Sequence, residues 1–183
     1  MKPNKLTYFL FTVVGILIFT GCGMKPGSSG KSSKFFETFY AGSKNGTQYF
    51  IKPLDFADAD KQGAAVDFTL RDADFQGDST TVNYTLTTSR QLPADQAISF
   101  VDANGKSIFQ TRMVERLFQE RTKTGYLARY TSKAPNPAVA SAFEQTDMTL
   151  RVFTEGEGTL IFLPSGKTQS AMQEVNRNLF SLY

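Results

Sequence analysis

The sequence predicts an α+β, β-rich fold: an antiparallel sheet or sandwich with two or three helices, including a C-terminal helix packed on the sheet. Three observations carry this. Segments rich in Phe, Tyr, Val and Thr alternate apolar and polar residues at period two, as half-buried strands do. Turn signals built on Gly, Asn and Asp separate those segments at hairpin spacing. One stretch near the C-terminus repeats its apolar residues at helical spacing instead.

The elements follow in chain order. FFETFY and TQYFIKPL flank a Gly-Ser-Lys-Asn-Gly turn at 42–46 and read as a hairpin, with Pro53 marking the second strand as an edge strand. Val66, Phe68 and Leu70 alternate with Asp67, Thr69 and Arg71, and Val82, Tyr84 and Leu86 alternate with Asn83, Thr85 and Thr87, giving two strands with one wet face each. AISFV at 97–101 is a further strand ending in the turn Asp102-Ala-Asn104-Gly105. In QTRMVERLFQER, Met113, Val114, Leu117 and Phe118 recur at helical spacing, and Arg116 and Glu120 form an i,i+4 pair, so a helix is expected there. YLARYT at 126–131 reads as a strand, Pro135-Asn-Pro137 as a loop and AVASAFEQ at 138–145 as a short helix. MTLRVF and TLIFL flank Glu155-Gly-Glu-Gly158 and should pair as a hairpin. Ala171, Met172, Val175, Leu179 and Leu182 form one stripe after Pro164-Ser165-Gly166, where a serine can cap a helix.

Composition excludes whole classes of chemistry. The chain of 183 residues holds no His and one Cys, so His-based general bases, Cys/His zinc sites and internal disulfides are ruled out. Any catalysis would rest on carboxylates, Lys, Ser, Thr or Tyr. No cofactor is called for, and the chain is read as no enzyme.

The N-terminus reads as an address. Lys2 and Lys5 precede an apolar run from Leu6 to Phe19, too short to span a bilayer permanently, and Thr20-Gly21 lead into Cys22. Phe19-Thr20-Gly21-Cys22 resembles the lipobox of bacterial lipoproteins, with Phe where Leu is commonest. The resemblance implies lipidation of Cys22 after removal of residues 1–21, and Gly23 in place of Asp implies the outer membrane. An ordinary secretory signal and an uncleaved anchor are the other readings. Two or more acyl chains make a stable anchor where one is marginal. Residues 22–34, rich in Gly, Ser and Lys, read as a flexible tether spanning on the order of 20 Å. Residues 35–183 form one domain. Loss of Lys2 and Lys5 lowers the formal charge of +3, so nucleic-acid binding is not implied.

Several motifs are weighed against turn chemistry and solvation. Asp58-Ala-Asp60-Lys-Gln62-Gly63 recurs as Asp72-Ala-Asp74-Phe-Gln76-Gly77, followed by Asp78. Each copy resembles half of an EF-hand loop, so Asp72, Asp74 and Asp78 are candidate Ca²⁺ ligands. Position 12 is Thr69 or Asn83 rather than Glu, and Asx turns account for both copies equally well. Pro164-Ser-Gly-Lys167-Thr168 has Ile161 where a P-loop needs its first glycine. Residues 112–133 carry six cations against Glu115 and Glu120; Arg112, Arg116, Arg121, Lys123 and Arg129 are therefore candidate contacts for an anionic partner, with a solvated face as the alternative.

The functional expectation is a membrane-anchored cell-envelope lipoprotein acting as a non-catalytic interaction or assembly module, with the membrane and an envelope protein as partners. A small-ligand or Ca²⁺ carrier with an aromatic-lined cavity is the alternative, and a hydrolase using acids such as Glu155 and Glu157 comes third.

Overall fold

A computed structural model describes residues 33–40, 46–60, 62–71, 79–145, 147–154 and 158–182, and among them the chain builds one antiparallel sheet curled nearly into a barrel. Cys22, the tether before Ser33, Asp72, Asp74, Asp78, Glu155 and Glu157 lie outside the described residues. The strands are β1 (Phe36–Tyr40), β2 (Thr47–Ala57), β3 (Gly63–Arg71), β4 (Ser79–Thr88), β5 (Ser99–Val101), β6 (Ser107–Gln110), β7 (Arg112–Arg121), β8 (Tyr126–Pro135), β9 (Thr149–Thr154) and β10 (Gly158–Pro164). The helices are α1 (Asn136–Phe143) and α2 (Gly166–Asn178), with a 3₁₀ turn at Phe180–Leu182.

The predicted hairpins form. β1 pairs with β2, and β9 pairs with β10, placing Thr159 opposite Phe153 and Ile161 opposite Arg151. β2 is not the edge strand that Pro53 suggested, because β3 pairs along one side of it while β1 and β10 share the other. Proline is tolerated because it falls in the break of the β2–β3 ladder between Ile51 and Leu54, where no donor is needed. β3 and β4 pair in the register their alternation requires, with Val66 opposite Tyr84 and Phe68 opposite Val82. β8 then pairs with β4 over its full length.

The helix expected in QTRMVERLFQER is a strand, β7, paired with β8. Its ladder shifts register twice, between Arg112 and Glu115 and between Arg116 and Phe118. Each bulge inserts a residue that breaks the two-residue alternation. The two bulges place apolar side chains at 113, 114, 117 and 118, a spacing that imitates one face of a helix. Pro135 and Asn136, expected in a loop, end β8 and begin α1, where Pro137 sits in the first turn and needs no helical donor.

β6 and β7 stand at opposite ends of the strand order, yet only Thr111 separates them in the chain. This segment pairs with β5 through residue 110 and with β8 from residue 112, so it carries the sheet nearly round on itself. Thr111 is buried and holds the crossing: its N–H donates to the Ile98 carbonyl at 2.9 Å, and its Oγ1 accepts from the Ile98 N–H at 3.0 Å.

The interior is filled with aromatic rings. Phe100 contacts Phe56, Phe68 and Phe109 at centroid distances of 6.0, 6.2 and 4.7 Å. From α1, Phe143 meets Phe68 at 5.3 Å edge-on, and Phe180 packs on Phe143 at 5.1 Å. α2 lies on the sheet as expected, burying Thr168, Ala171, Met172 and Val175. Ser165 caps it, accepting from the Thr168 N–H at 3.1 Å, and Thr168 Oγ1 donates to the Asp55 carbonyl at 2.8 Å. The P-loop-like residues therefore join a helix to a strand.

Replacing Thr111 with Val keeps shape and removes the acceptor of a buried N–H, and is expected to cost about 1–3 kcal/mol. Urea unfolding of Thr111→Val beside the wild-type protein measures this; equal midpoints would mean that the hydroxyl contributes nothing.

Candidate interaction face

The candidate site lies on the outside of the sheet, along β7. The first bulge puts Met113 in the left-handed region, at φ 52°, and leaves it 83% exposed. A non-glycine residue there costs about 1–2 kcal/mol, and a long apolar side chain gains nothing in water to offset it. Farther along the strand, Leu117 and Phe118 are 53% and 44% exposed. No strand pairs the other edge of β7 among the described residues. Beside Met113 opens a cleft of about 190 Å³ bounded by Ser79, Arg112, Lys133, Ala134 and Pro135. Arg112 faces Lys133 across the ladder, so two cations share one rim, and Lys133 Nζ donates to Thr81 Oγ1 at 2.8 Å.

The cationic residues singled out by charge do not gather into one patch. Arg129 donates to the Asp67 carboxylate at 2.8 Å and to Thr85 Oγ1 at 3.0 Å, while Asn83 donates to the same carboxylate at 2.8 Å. Asp67 is only 2% exposed, so Arg129 neutralises a buried charge and is committed to the fold. Arg116 donates to the Leu92 carbonyl at 3.2 Å and to Gln119 at 3.0 Å. Arg121, opposite Tyr126, and Lys123, in the following turn, lie at the far end of β7. The length of the strand separates Arg121 from Arg112, up to about 30 Å. Only Arg112, with Lys133, borders the exposed apolar residues at the cleft.

The segment 89–98 fills the space between β7 and β9. On one side Arg90 donates to Thr154 Oγ1 at 3.0 Å and Gln96 Nε2 to the Phe153 carbonyl at 3.0 Å. On the other, the Tyr130 hydroxyl donates to the Pro93 carbonyl at 3.0 Å, the Tyr84 hydroxyl donates to the Gln96 carbonyl, and buried Leu92 reaches the core. Tyr84 and Tyr130 face each other across β4 and β8 with rings stacked at 5.2 Å. Burial pushes both phenols above their ordinary value, and Arg116 beside Tyr130 partly opposes this.

The first Asp-rich loop is turn chemistry. Asp58 Oδ1 accepts from the N–H groups of Asp60 and Gln62 at 2.9 and 2.8 Å, and Oδ2 accepts from Gln62 Nε2 at 2.9 Å. Both carboxylate oxygens thus close the β2–β3 connection. Among the described residues, no three acidic or Cys side chains converge as a metal site.

Sequence reasoning missed the exposed Met113, Leu117 and Phe118 because their spacing, with Val114, reads as that of a helix. The legible signal was the pairing of apolar doublets with charged residues on both sides, which also fits a bulged edge strand. No family model matches the chain, and neither a curated protein nor a solved structure is similar to it.

The tyrosine pair gives a pH test. Unfolded tyrosines ionise near pH 10, whereas the folded protein holds these two protonated to higher pH. Above pH 10 the folded state therefore binds more protons, and stability falls as pH rises toward the folded values, by up to about 1.4 kcal/mol per pH unit for each phenol. Urea unfolding between about pH 9 and 11.5 should show this fall, and Tyr84→Phe should make it shallower. Identical slopes would mean that Tyr84 is not held neutral.

Proposed function

We propose that the protein is a bacterial cell-envelope lipoprotein, anchored through Cys22 in the outer membrane, whose domain acts without catalysis as an interaction or assembly module. The observation that best supports the interaction role is the β7 face, where a strained, exposed Met113 and, farther along, exposed Leu117 and Phe118 lie on a strand whose other edge no strand pairs among the described residues. Such an edge binds another chain by strand addition, with backbone hydrogen bonds giving affinity and side chains giving specificity. The cations of the cleft, Arg112 and Lys133, suit a protein partner that brings acidic side chains to that end of β7. A carrier function draws less support, because the interior aromatic rings pack on one another and the 190 Å³ cleft lies outside the sheet.

The test is crosslinking and pull-down from detergent-solubilised envelopes of the native host, with mass spectrometry of the bait's N-terminal peptide. Wild-type bait is expected to carry a diacylglyceryl-modified Cys22 and one co-purifying protein near stoichiometry. The double variant Leu117→Asp, Phe118→Asp should reduce that protein at least about tenfold, as loss of two apolar anchors implies. Gln173→Asp, on the exposed side of α2, should leave it unchanged. Equal capture by all three baits would remove β7 from the interface, and an unmodified Cys22 would remove the anchor.

A further inference from the structure

A second apolar surface lies on the β9–β10 hairpin, across the segment 89–98 from β7. Phe153, Ile161 and Leu163 are 52%, 47% and 60% exposed. Ile161 and Leu163 are two residues apart on β10, and Phe153 opposes Thr159, so all three share the outward face. From the opposite face Val152 and Phe162 are fully buried, so the hairpin is apolar on both sides. A strand needs only one apolar face to hold its place in a sheet.

The chain enters the domain beside this surface. The Phe35 carbonyl accepts from the Lys52 N–H at 2.9 Å, and Phe35 shares a cleft with Pro53, Leu54, Lys167 and Ala171. Ala57, the ladder partner of Leu163, is four residues beyond Pro53, about 13 Å along β2. The residues preceding Ser33, which contain the apolar run and Cys22, thus join the domain close to Leu163. Exposed Lys34, its Nζ 5.4 Å from the centre of the Phe35 ring, and exposed Lys167 stand at the same entry.

We infer that the Phe153–Ile161–Leu163 face rests on the surface of the bilayer that holds the N-terminal anchor. This inference rests on the reading of Cys22 as lipidated. A tether of about a dozen residues keeps the domain within roughly 20 Å of that bilayer, so a weak contact becomes intramolecular and well populated. Apolar side chains enter the interfacial region, and Lys34 and Lys167 face the headgroups. Glu155 and Glu157, which lie between β9 and β10 in the sequence, oppose deep insertion, so the hairpin lies flat on its side. With this face down, the domain has one preferred orientation on its anchor, and β7 is left free of the bilayer.

The chain contains no Trp, which makes a single introduced indole a clean reporter. Full-length lipidated Phe153→Trp, Leu163→Trp and Leu117→Trp are reconstituted into phosphatidylcholine vesicles containing one third phosphatidylglycerol, with or without bromine on the acyl chains. Bromine is expected to quench the indole of the Phe153→Trp and Leu163→Trp variants by about twofold, as interfacial burial of about 5–10 Å implies, and to leave that of Leu117→Trp unquenched. Vesicle-bound protein with no quenching in either hairpin variant overturns the contact while leaving the anchor intact. Equal quenching in all three variants overturns the orientation. Protein that fails to float with the vesicles and yields an unmodified Cys22 peptide overturns the anchor and this inference together.

Discussion

The sheet depends on one exchange of partners at Thr111. A strand that ended at Gln110 would leave β6 and β8 at the two margins of a curved but open sheet. Continuing through Thr111, the chain leaves β5 and joins β8 without a loop. The change of direction disrupts the ladder locally, and Thr111 supplies both a backbone donor and a side-chain acceptor to Ile98 at that point. A hydrophobic residue would fill the same volume and leave a buried N–H unmatched, which is why the position calls for a small hydroxyl residue with a β-branched shape.

Closing the sheet makes further demands that polar groups meet. The segment 89–98 occupies the remaining opening, and its carbonyls are met by Tyr84, Tyr130 and Arg116. These tyrosines have a double role: their rings stack within the core and their hydroxyls pin a loop that has no strand partner. On the outside, Arg129, Asp67 and Asn83 join β8, β3 and β4 by hydrogen bonds across the strands. Polar side chains therefore fix register where hydrophobic packing alone would permit slippage.

Local patterns in the sequence were readable wherever the responsible interactions were local. The turn at Asp102 is one example: its carboxylate accepts from the N–H groups of Asn104 and Lys106, and Gly105 takes a φ of 79°. The β3 and β4 alternation was readable because no bulge interrupts their pairing with each other. β7 was misread because its bulges depend on β8, and bulged alternation looks helical when only one strand is visible. The same applies to the charges. Arg129 meets Asp67 62 residues away and Arg116 meets Leu92 24 residues away, so which cations remain available for a partner follows from tertiary register and not from charge along the chain.

The filled interior determines where recognition can happen. Rings that lie 4.7–6.2 Å apart around Phe100 leave the sheet without an internal chamber there, so the proposed interaction role looks to the outer surface. Apolar residues occur singly on many surfaces without consequence. Here one group lies on the β9–β10 hairpin, whose inner face is buried, and the other on β7, which buries no residue fully and includes a backbone conformation that an asparagine or glycine would adopt at lower cost. Two outward apolar faces, one beside the point where the chain enters and one on a strand with a single paired edge among the described residues, are what a domain needs if it must keep its place on a surface and present a separate edge to a partner.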